Sequence, residues 1–415
     1  MLIFYKILSY FFLVISPIII IYRIIIKKEN KKRFLERYGF KSTKRKKGLL
    51  IWFHCSSVGE LISIIPLLEK FESNKKIKQI LLTTTTVSSS YIIKKLYFKK
   101  VVHQFFPIDN NLILNNFIEY WKPSVFFLCE SEIWPNLIFN IHSRKIKLVL
   151  VNGRMTSKSF YRWKKFKEFS STIFKKFDLC LVQNNETKKR LSILGAKNIL
   201  SLGNLKFSLS NKIKSGVLDK KILNFFKNKK ILIIGASTHL NEENFIIQNH
   251  NYFLKHNYKN LVSIIIPRHV ERALEIKNEL EKFSLNAHFH SDKNKVKKNT
   301  NVYIVDTYGE ANKFYKISNL VFMGGSLIKH GGQNPLEPAR FGCKIIHGPH
   351  IDNFKEIYKK LEFMNISEKF ENYASGTKII KKKYDKKRKT FDNKKIIHYG
   401  EKVLNSTYSK LVKLI

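Results

Sequence analysis

The sequence predicts an α/β protein of two domains, each an open parallel sheet flanked by helices, preceded by an apolar anchor helix. Three observations carry this. Apolar runs of strand length alternate with amphipathic stretches of helix length from residue 49 onward. The rhythm pauses at 208–226 and restarts at 231 with ILIIG. An uncharged apolar run, 7–22, stands near the N-terminus. At 415 residues the chain fits two domains of average size. A hydrophobic content of 44% excludes a wholly disordered chain. Nine prolines and 17 glycines exclude collagen-like and low-complexity classes. Cys55, Cys129, Cys180 and Cys343 form no disulfide framework and show no metal-ligand spacing, so they read as reduced and structural.

The N-terminal run continues past Arg23 to Ile26, about the 20 residues that span a hydrocarbon core. Pro17 is tolerable there. Only Lys6 precedes the run, whereas Arg23, Lys27, Lys28, Lys31, Lys32, Arg33 and Arg37 follow. No signal-peptidase pattern follows either, so the run reads as a single-pass anchor. The positive-inside rule places the body in the cytoplasm. Arg23 shortens the clean apolar core, which leaves a re-entrant or interfacial helix open.

Strands are expected at 49–54, 80–84, 101–108, 125–129, 148–151 and 179–182, with helices between them at 61–71 and 113–121 among others. The second set of strands is expected at 231–235, 262–266, 302–305, 320–324 and 345–346. Several runs are continuously apolar, as strands buried on both faces are. The expected organisation is an anchor at 1–30, one domain at 31–207, a linker at 208–225, a second domain at 226–395 and a C-terminal helix at 396–415. The lysine run 378–396 reads as a solvated face.

The net charge of +46 invites a nucleic-acid reading. The excess is diffuse lysine accompanied by abundant Ile, Asn and Phe, the mark of AT-rich coding. It carries no arginine cluster or RNA-binding signature. An anionic membrane surface or substrate is the better match, since lysine near a membrane gains about 1 kcal/mol each.

Chemistry-bearing residues gather at strand ends, where such sheets bind ligands. The first strand ends in His54-Cys55-Ser56-Ser57-Val58-Gly59-Glu60. Its small residues expose N–H groups. Glu60 is either a helix-start carboxylate favoured by the dipole or a general base. After 125–129 come Glu130 and Glu132, two like charges that can bind a cation, orient hydroxyls, act as acid and base, or cap the helix beginning near Pro135. In the second half, Pro267-Arg268-His269 offers an arginine suited to phosphate or carboxylate. Asp306-Thr307-Tyr308-Gly309-Glu310 follows. The glycine-dense segment from Gly324 through His330-Gly331-Gly332-Gln333-Asn334-Pro335-Leu336-Glu337 then implies close backbone approach to a ligand.

Taken in order, HCSSVGE, FLCESEIWPN, LVNGRMTSKS, GNLKFS, GASTHLNEE, IPRH, DTYGE, GGSLIKHGGQNPLEPA and GPHIDNFKEI resemble the lipid-A-specific 3-deoxy-D-manno-octulosonic acid (Kdo) transferases of Gram-negative bacteria. The resemblance runs from the anchor to about residue 360. It implies a GT-B fold of two Rossmann-like domains facing across a cleft, acceptor domain first and nucleotide domain second, working at the inner membrane. It implies CMP-Kdo as donor, the tetra-acylated lipid A disaccharide precursor as acceptor, and inverting transfer with no metal or cofactor. By motif position, Glu60 matches the catalytic base, and Glu130 and Lys206 match positions that steady the transition state. Pro267, Arg268, Tyr308, Gly309, Glu310, Asn334, Pro335, Leu336 and Glu337 match the CMP-binding segments. The departures are Cys55 and Ser56 where the family motif resembles HAVSVGE, Ser131 and Ile133 in ESEIWPN, and Tyr308, where methionine is frequent. The alternative is a membrane-associated GT-B transferase using another nucleotide sugar.

Overall fold

Seven residues, Leu49–Cys55, form the first strand, β1, and alternate between two buried faces. Leu50 and Trp52 enter one apolar cluster with Phe126, Leu128 and Leu150. Ile51, Phe53 and Cys55 enter the opposite one with Phe127, Cys129 and Val151. A strand covered on both sides needs this continuous apolar run, and period-two alternation assigns each residue its side. The computed structural model describes residues 1–210, 216–292, 294–384 and 393–415, and the same logic builds two sheets in it.

The first sheet continues with β2 (Ile77–Thr84), β3 (Val101–Phe105), β4 (Val125–Cys129), β5 (Lys147–Gly153), β6 (Leu179–Val182) and β7 (Ile199–Ser201). Its order is β3-β2-β1-β4-β5-β6-β7, all parallel. The second holds β8 (Lys230–Thr238), β9 (Leu261–Pro267), β10 (Ala287–Phe289), β11 (Val302–Ile304), β12 (Leu320–Met323), β13 (Lys344–His347) and β14 (Ser367–Lys369). Its order is β10-β11-β9-β8-β12-β13-β14, again parallel. The α/β class and the two-sheet architecture read from the sequence are therefore present. The strands not anticipated, β7, β10 and β14, are three-residue edge strands. They carry no apolar run, because an edge has little to bury.

By contacts, the chain divides into Met1–Ile213 with His398–Ile415, and Lys214–Ile397. Part of the stretch expected as a linker is helical. Asp219 accepts a hydrogen bond from the Lys221 N–H and starts the helix Lys220–Lys227, which buries Phe226. Residues 211–215 of that stretch, and 385–392 of the lysine run, lie outside the described residues. Upstream of the latter, the helix Tyr373–Tyr384 buries Ile379 and Ile380.

The N-terminal helix, α1 (Leu2–Ile25), does not stand away from the body. Ser9, Ser16 and Ile20 are buried while the other face is open and apolar. The Tyr5 hydroxyl donates to Asp109 Oδ2 at 2.8 Å, Asn110 Nδ2 donates to Ser9 Oγ at 3.4 Å, and the Ser16 hydroxyl donates to Tyr38 Oη at 3.1 Å. Beyond its C-terminus a buried ion pair joins Arg37 and Glu29 at 3.1 Å, and Arg37 also donates to the carbonyls of Phe106 and Thr85. Removing one partner of such a pair costs about 3–5 kcal/mol, so the seat of α1 is firmly built.

The C-terminal helix Lys394–Leu411 returns to the first domain and packs on the segment that carries Lys206. The Ser208 hydroxyl donates to the Gly400 carbonyl at 3.0 Å, and Tyr399 meets Phe207 edge-on at 5.0 Å. A Cβ at Gly400 would lie 2.3 Å from the Phe207 carbonyl oxygen. Gly400→Ala is therefore expected to lower stability by about 1–3 kcal/mol and to reduce turnover by displacing residues 205–208. Thermal unfolding and initial rates check this, and unchanged values in both would show that the helix slides without consequence.

Candidate active site

Between β1 and β4 the chain order of the first sheet reverses, and the carboxyl ends of flanking strands leave a ligand crevice at such a point. After β1 the backbone turns through Ser56 into the helix α2 (Val58–Ser73). Ser57 caps α2 by accepting from the Glu60 N–H at 3.3 Å. The Glu60 side chain folds back past the cap, and its Oε2 accepts from the Ser56 N–H at 2.7 Å. The turn thus bends a carboxylate over the strand end, where it is buried. Burial pushes that carboxyl up to about 7. The Ser56 N–H opposes the rise, the charges of Glu130 and Glu132 add to it, and Lys206 draws it back. A carboxyl near 7 is poised to take a proton at neutral pH.

Glu130 follows β4 in the left-handed region, with φ 55°, as does Asn152 near the end of β5. Such backbone in a residue with a side chain costs about 1–3 kcal/mol and is characteristic of functional sites. The Lys206 ammonium meets Glu130 Oε1 at 2.8 Å, and Asn152 Nδ2 donates to the same oxygen at 3.3 Å. Asn152 Oδ1 accepts from the Leu205 N–H at 2.9 Å, which places the short turn Leu205–Phe207 bearing Lys206. Glu132 is also raised by burial, with the Ser56 hydroxyl and the Trp134 indole pulling back. Glu60, Glu130 and Lys206 are thus brought together by three different strand ends.

Neither Glu130 nor Glu132 caps the helix Pro135–Ser143. Asp109 does so, accepting from the N–H groups of Asn136 at 3.1 Å and Leu137 at 2.8 Å. That removes the capping reading of the two glutamates. His54 is not a proton carrier: buried against Thr83 and stacked on Phe106 at 3.8 Å, its imidazole is driven down to about 3 by desolvation.

In the second domain the matching segments follow the neighbouring strands β9 and β11 and, beyond β8, the strand β12. Pro267 ends β9, with Arg268 exposed behind it. Tyr308, Gly309 and Glu310 follow β11. Tyr308 is exposed and its hydroxyl donates to Glu271 Oε1 at 3.2 Å. Glu310 pairs with Lys313 at 2.5 Å and lies 3.4 Å from His290 Nε2. Asn334, Pro335, Leu336 and Glu337 follow the glycine-dense loop after β12. Asn334 Oδ1 accepts from the Leu336 N–H at 3.2 Å, Pro335 precedes the five-residue helix Leu336–Arg340, and Glu337 is exposed.

The residue that shapes this loop was not singled out from the sequence. Glu242 is buried and accepts from four backbone N–H groups: Gly325 at 2.6 Å, Leu327 at 2.9 Å, Ser326 at 3.0 Å and His239 at 3.0 Å. One carboxylate thereby replaces the hydrogen bonds that a strand or helix would have supplied. Around it stand His239 and His330, whose rings are 4.3 Å apart.

This arrangement can be set beside known proteins. Residues 32–209 match the family model described as 3-deoxy-D-manno-octulosonic-acid transferase (kdotransferase). The chain is 33% identical over 336 residues to the 3-deoxy-D-manno-octulosonic acid transferase of Haemophilus influenzae, covering 80% of this chain and 78% of that relative. It is 34% identical over 358 residues to that of Rickettsia bellii, covering 86% and 84%. The chain belongs to the Kdo transferases. It is accordingly a glycosyltransferase. Its GT-B fold is echoed in a crystal structure of UDP-N-acetylglucosamine 2-epimerase (TM-score 0.56, 10% identity, 89% of this chain and 96% of that one). A glycosyltransferase from Rickettsia africae is similar (TM-score 0.53, 13% identity, 89% and 98%). At such identities the likeness concerns the fold alone.

Two stability predictions follow for this Kdo transferase. Glu242→Gln replaces one acceptor oxygen with a donor among four N–H groups, which is expected to cost about 1–3 kcal/mol or more. Urea unfolding measures it, and an unchanged midpoint would show that the loop does not depend on Glu242. Glu60 titrates higher in the folded chain than in the unfolded one, so its ionisation weakens the fold as pH rises from about 4 through 7. Glu60→Gln is expected to match wild type near pH 4 and to exceed it by up to about 3 kcal/mol at pH 8. A gap that closes as pH rises would refute the raised carboxyl.

Proposed function

We propose that this enzyme transfers Kdo from CMP-Kdo to the tetra-acylated disaccharide precursor of lipid A, with inversion at the anomeric carbon. The observation that carries the reading is the Glu60 carboxylate, buried at the switch point, pinned by Ser56 N–H and held near 7. It takes the proton of the acceptor hydroxyl as that oxygen forms its bond to the anomeric carbon of Kdo. The bond from that carbon to the CMP phosphate oxygen breaks, and CMP leaves with the electron pair. Lys206 offsets negative charge developing in the reaction, and Glu130, fixed by Asn152, holds Lys206 in place. In the second domain, Arg268 is the natural partner for the phosphate or the Kdo carboxylate. Tyr308, Gly309 and Glu310, together with Asn334, Pro335, Leu336 and Glu337, frame the nucleotide.

The acceptor is a lipid, which gives α1 its purpose. Its open face carries Phe4, Ile7, Phe11, Val14, Ile18, Ile21 and Ile25, all exposed. Its other face is bonded to Asp109, Asn110 and Tyr38, which supports an anchor held to the body on one face and offered to the membrane on the other. The basic residues after it then sit at the anionic cytoplasmic leaflet.

The test is a product assay with purified protein, CMP-Kdo and the tetra-acylated disaccharide, read by mass spectrometry. Wild type is expected to add whole Kdo units, and Glu60→Gln to lose at least 10³-fold in rate. A wild type that adds no Kdo and releases no CMP overturns the donor assignment and sends the search to other nucleotide sugars. The pH profile adds a sharper check. The acid limb of kcat/KM should fall below about pH 7, where Glu60 gains its proton. Lys206→Met should move that limb upward and Glu130→Gln should move it downward, because the two charges act on Glu60 with opposite sign. Limbs that stay together in all three proteins would remove Glu60 as the base.

A further inference from the structure

The first domain holds a cavity of about 330 Å³ beneath α1, lined by Tyr5, Leu8 and Phe12 on one side and by Thr85, Ile108 and Trp134 on the other. Two charged residues reach its wall, but neither is offered to an occupant. The Arg37 guanidinium is consumed by Glu29 and by the carbonyls of Phe106 and Thr85. The Asp109 carboxylate is consumed by Tyr5 and by the N–H groups of Asn136 and Leu137. What remains facing the space is hydrocarbon and aromatic ring. An enclosed apolar cavity of about 150 Å³ holds a benzene ring, whereas here the space is open on one side, with Leu8 49% and Phe12 47% exposed. This one has room for a run of methylenes, and its volume falls at the low end of the roughly 300–1,000 Å³ of small-ligand pockets.

Its position says which hydrocarbon. One wall is the helix whose opposite face is apolar and open. The other belongs to the catalytic loops. Trp134 stands two residues after Glu132, and the Thr85 hydroxyl lies 3.5 Å from that of Ser56, whose N–H holds Glu60. Asp109 joins the two walls, since it binds Tyr5 of α1 and the helix start that follows Trp134. A chain entering from the membrane side under α1 therefore ends at the loop bearing the carboxylates.

We propose that this cavity is a subsite for one acyl chain of the lipid acceptor, and that filling it sets the sugar hydroxyl against Glu60. The inference rests on the acceptor class proposed above and adds the place where that acceptor is gripped. It assigns Leu8, Phe12 and Ile108 as specificity residues that touch the lipid, and Tyr5 and Asp109 as positioning residues that hold the walls.

The test compares the tetra-acylated disaccharide with the same disaccharide stripped of its acyl chains, using the full chain in detergent. Leu8→Trp and Ile108→Phe narrow the cavity. Each is expected to raise KM for the acylated acceptor at least tenfold and to leave kcat/KM on the stripped acceptor within twofold. Equal changes on both acceptors, or none on either, overturn the proposal. Binding is read apart from transfer through Trp134. An acceptor with brominated acyl chains is expected to quench wild-type fluorescence more than that of Trp134→Phe, and the excess should disappear on adding unbrominated acceptor. Quenching without Kdo transfer would sink the donor assignment and keep the subsite. Transfer without that quenching would sink the subsite alone. Quenching by vesicles of brominated phospholipid that unbrominated acceptor does not reverse would also overturn it, in favour of a bilayer lipid.

Discussion

Three carboxylates and one ammonium meet at the switch point of the first sheet, and the loss of water on burial governs their protons, raising Glu60 and Glu132 while the Lys206 charge opposes the rise at Glu60. Glu130 is paired with Lys206 at 2.8 Å and steadied by Asn152, and its charge adds to the rise at Glu60. Two carboxylates left without a cation in that space would compete for one proton. With Lys206 present, Glu60 is held near 7. The turn Leu205–Phe207, the left-handed backbone at Glu130 and Asn152, and the C-terminal helix against residues 207–208 all support the same few atoms.

Each domain also uses a buried carboxylate as a clamp on its loops. Asp109 takes two helix-start N–H groups and the Tyr5 hydroxyl. Glu242 takes four N–H groups around the glycine-dense loop. Asp109 leaves Glu130 and Glu132 free of capping, and Glu242 fixes the backbone of the glycine-dense loop. A site held this way is set before substrate arrives, which is where much of the advantage of a preorganised site lies.

The helix α1 shows how composition and tertiary structure answer different questions. Its hydropathy and length suit a membrane span. Its hydrogen bonds to Asp109, Asn110 and Tyr38 tie it to the body along one face. The same helix forms one wall of the cavity whose other wall includes Thr85, Ile108 and Trp134.

By itself the sequence determined the α/β class, the two sheets and the strand ends at which Glu60, Glu130 and Arg268 lie. Buried parallel strands must be continuously apolar, and the residues after them must be polar, so both are written in local order. The ordered motifs also pointed to the Kdo transferases. Local order could not show β7, β10 and β14, which bury too little at sheet edges to leave a run. Nor could it show that Asp109 rather than Glu130 or Glu132 caps Pro135–Ser143, since that choice depends on a partner 27 residues away. Glu242 and Asn152 escaped for the same reason: each acts on backbone groups from distant segments. The elevation of Glu60, the seat of α1 and the cavity beneath it are products of burial. Only the tertiary structure decides which groups lose their water.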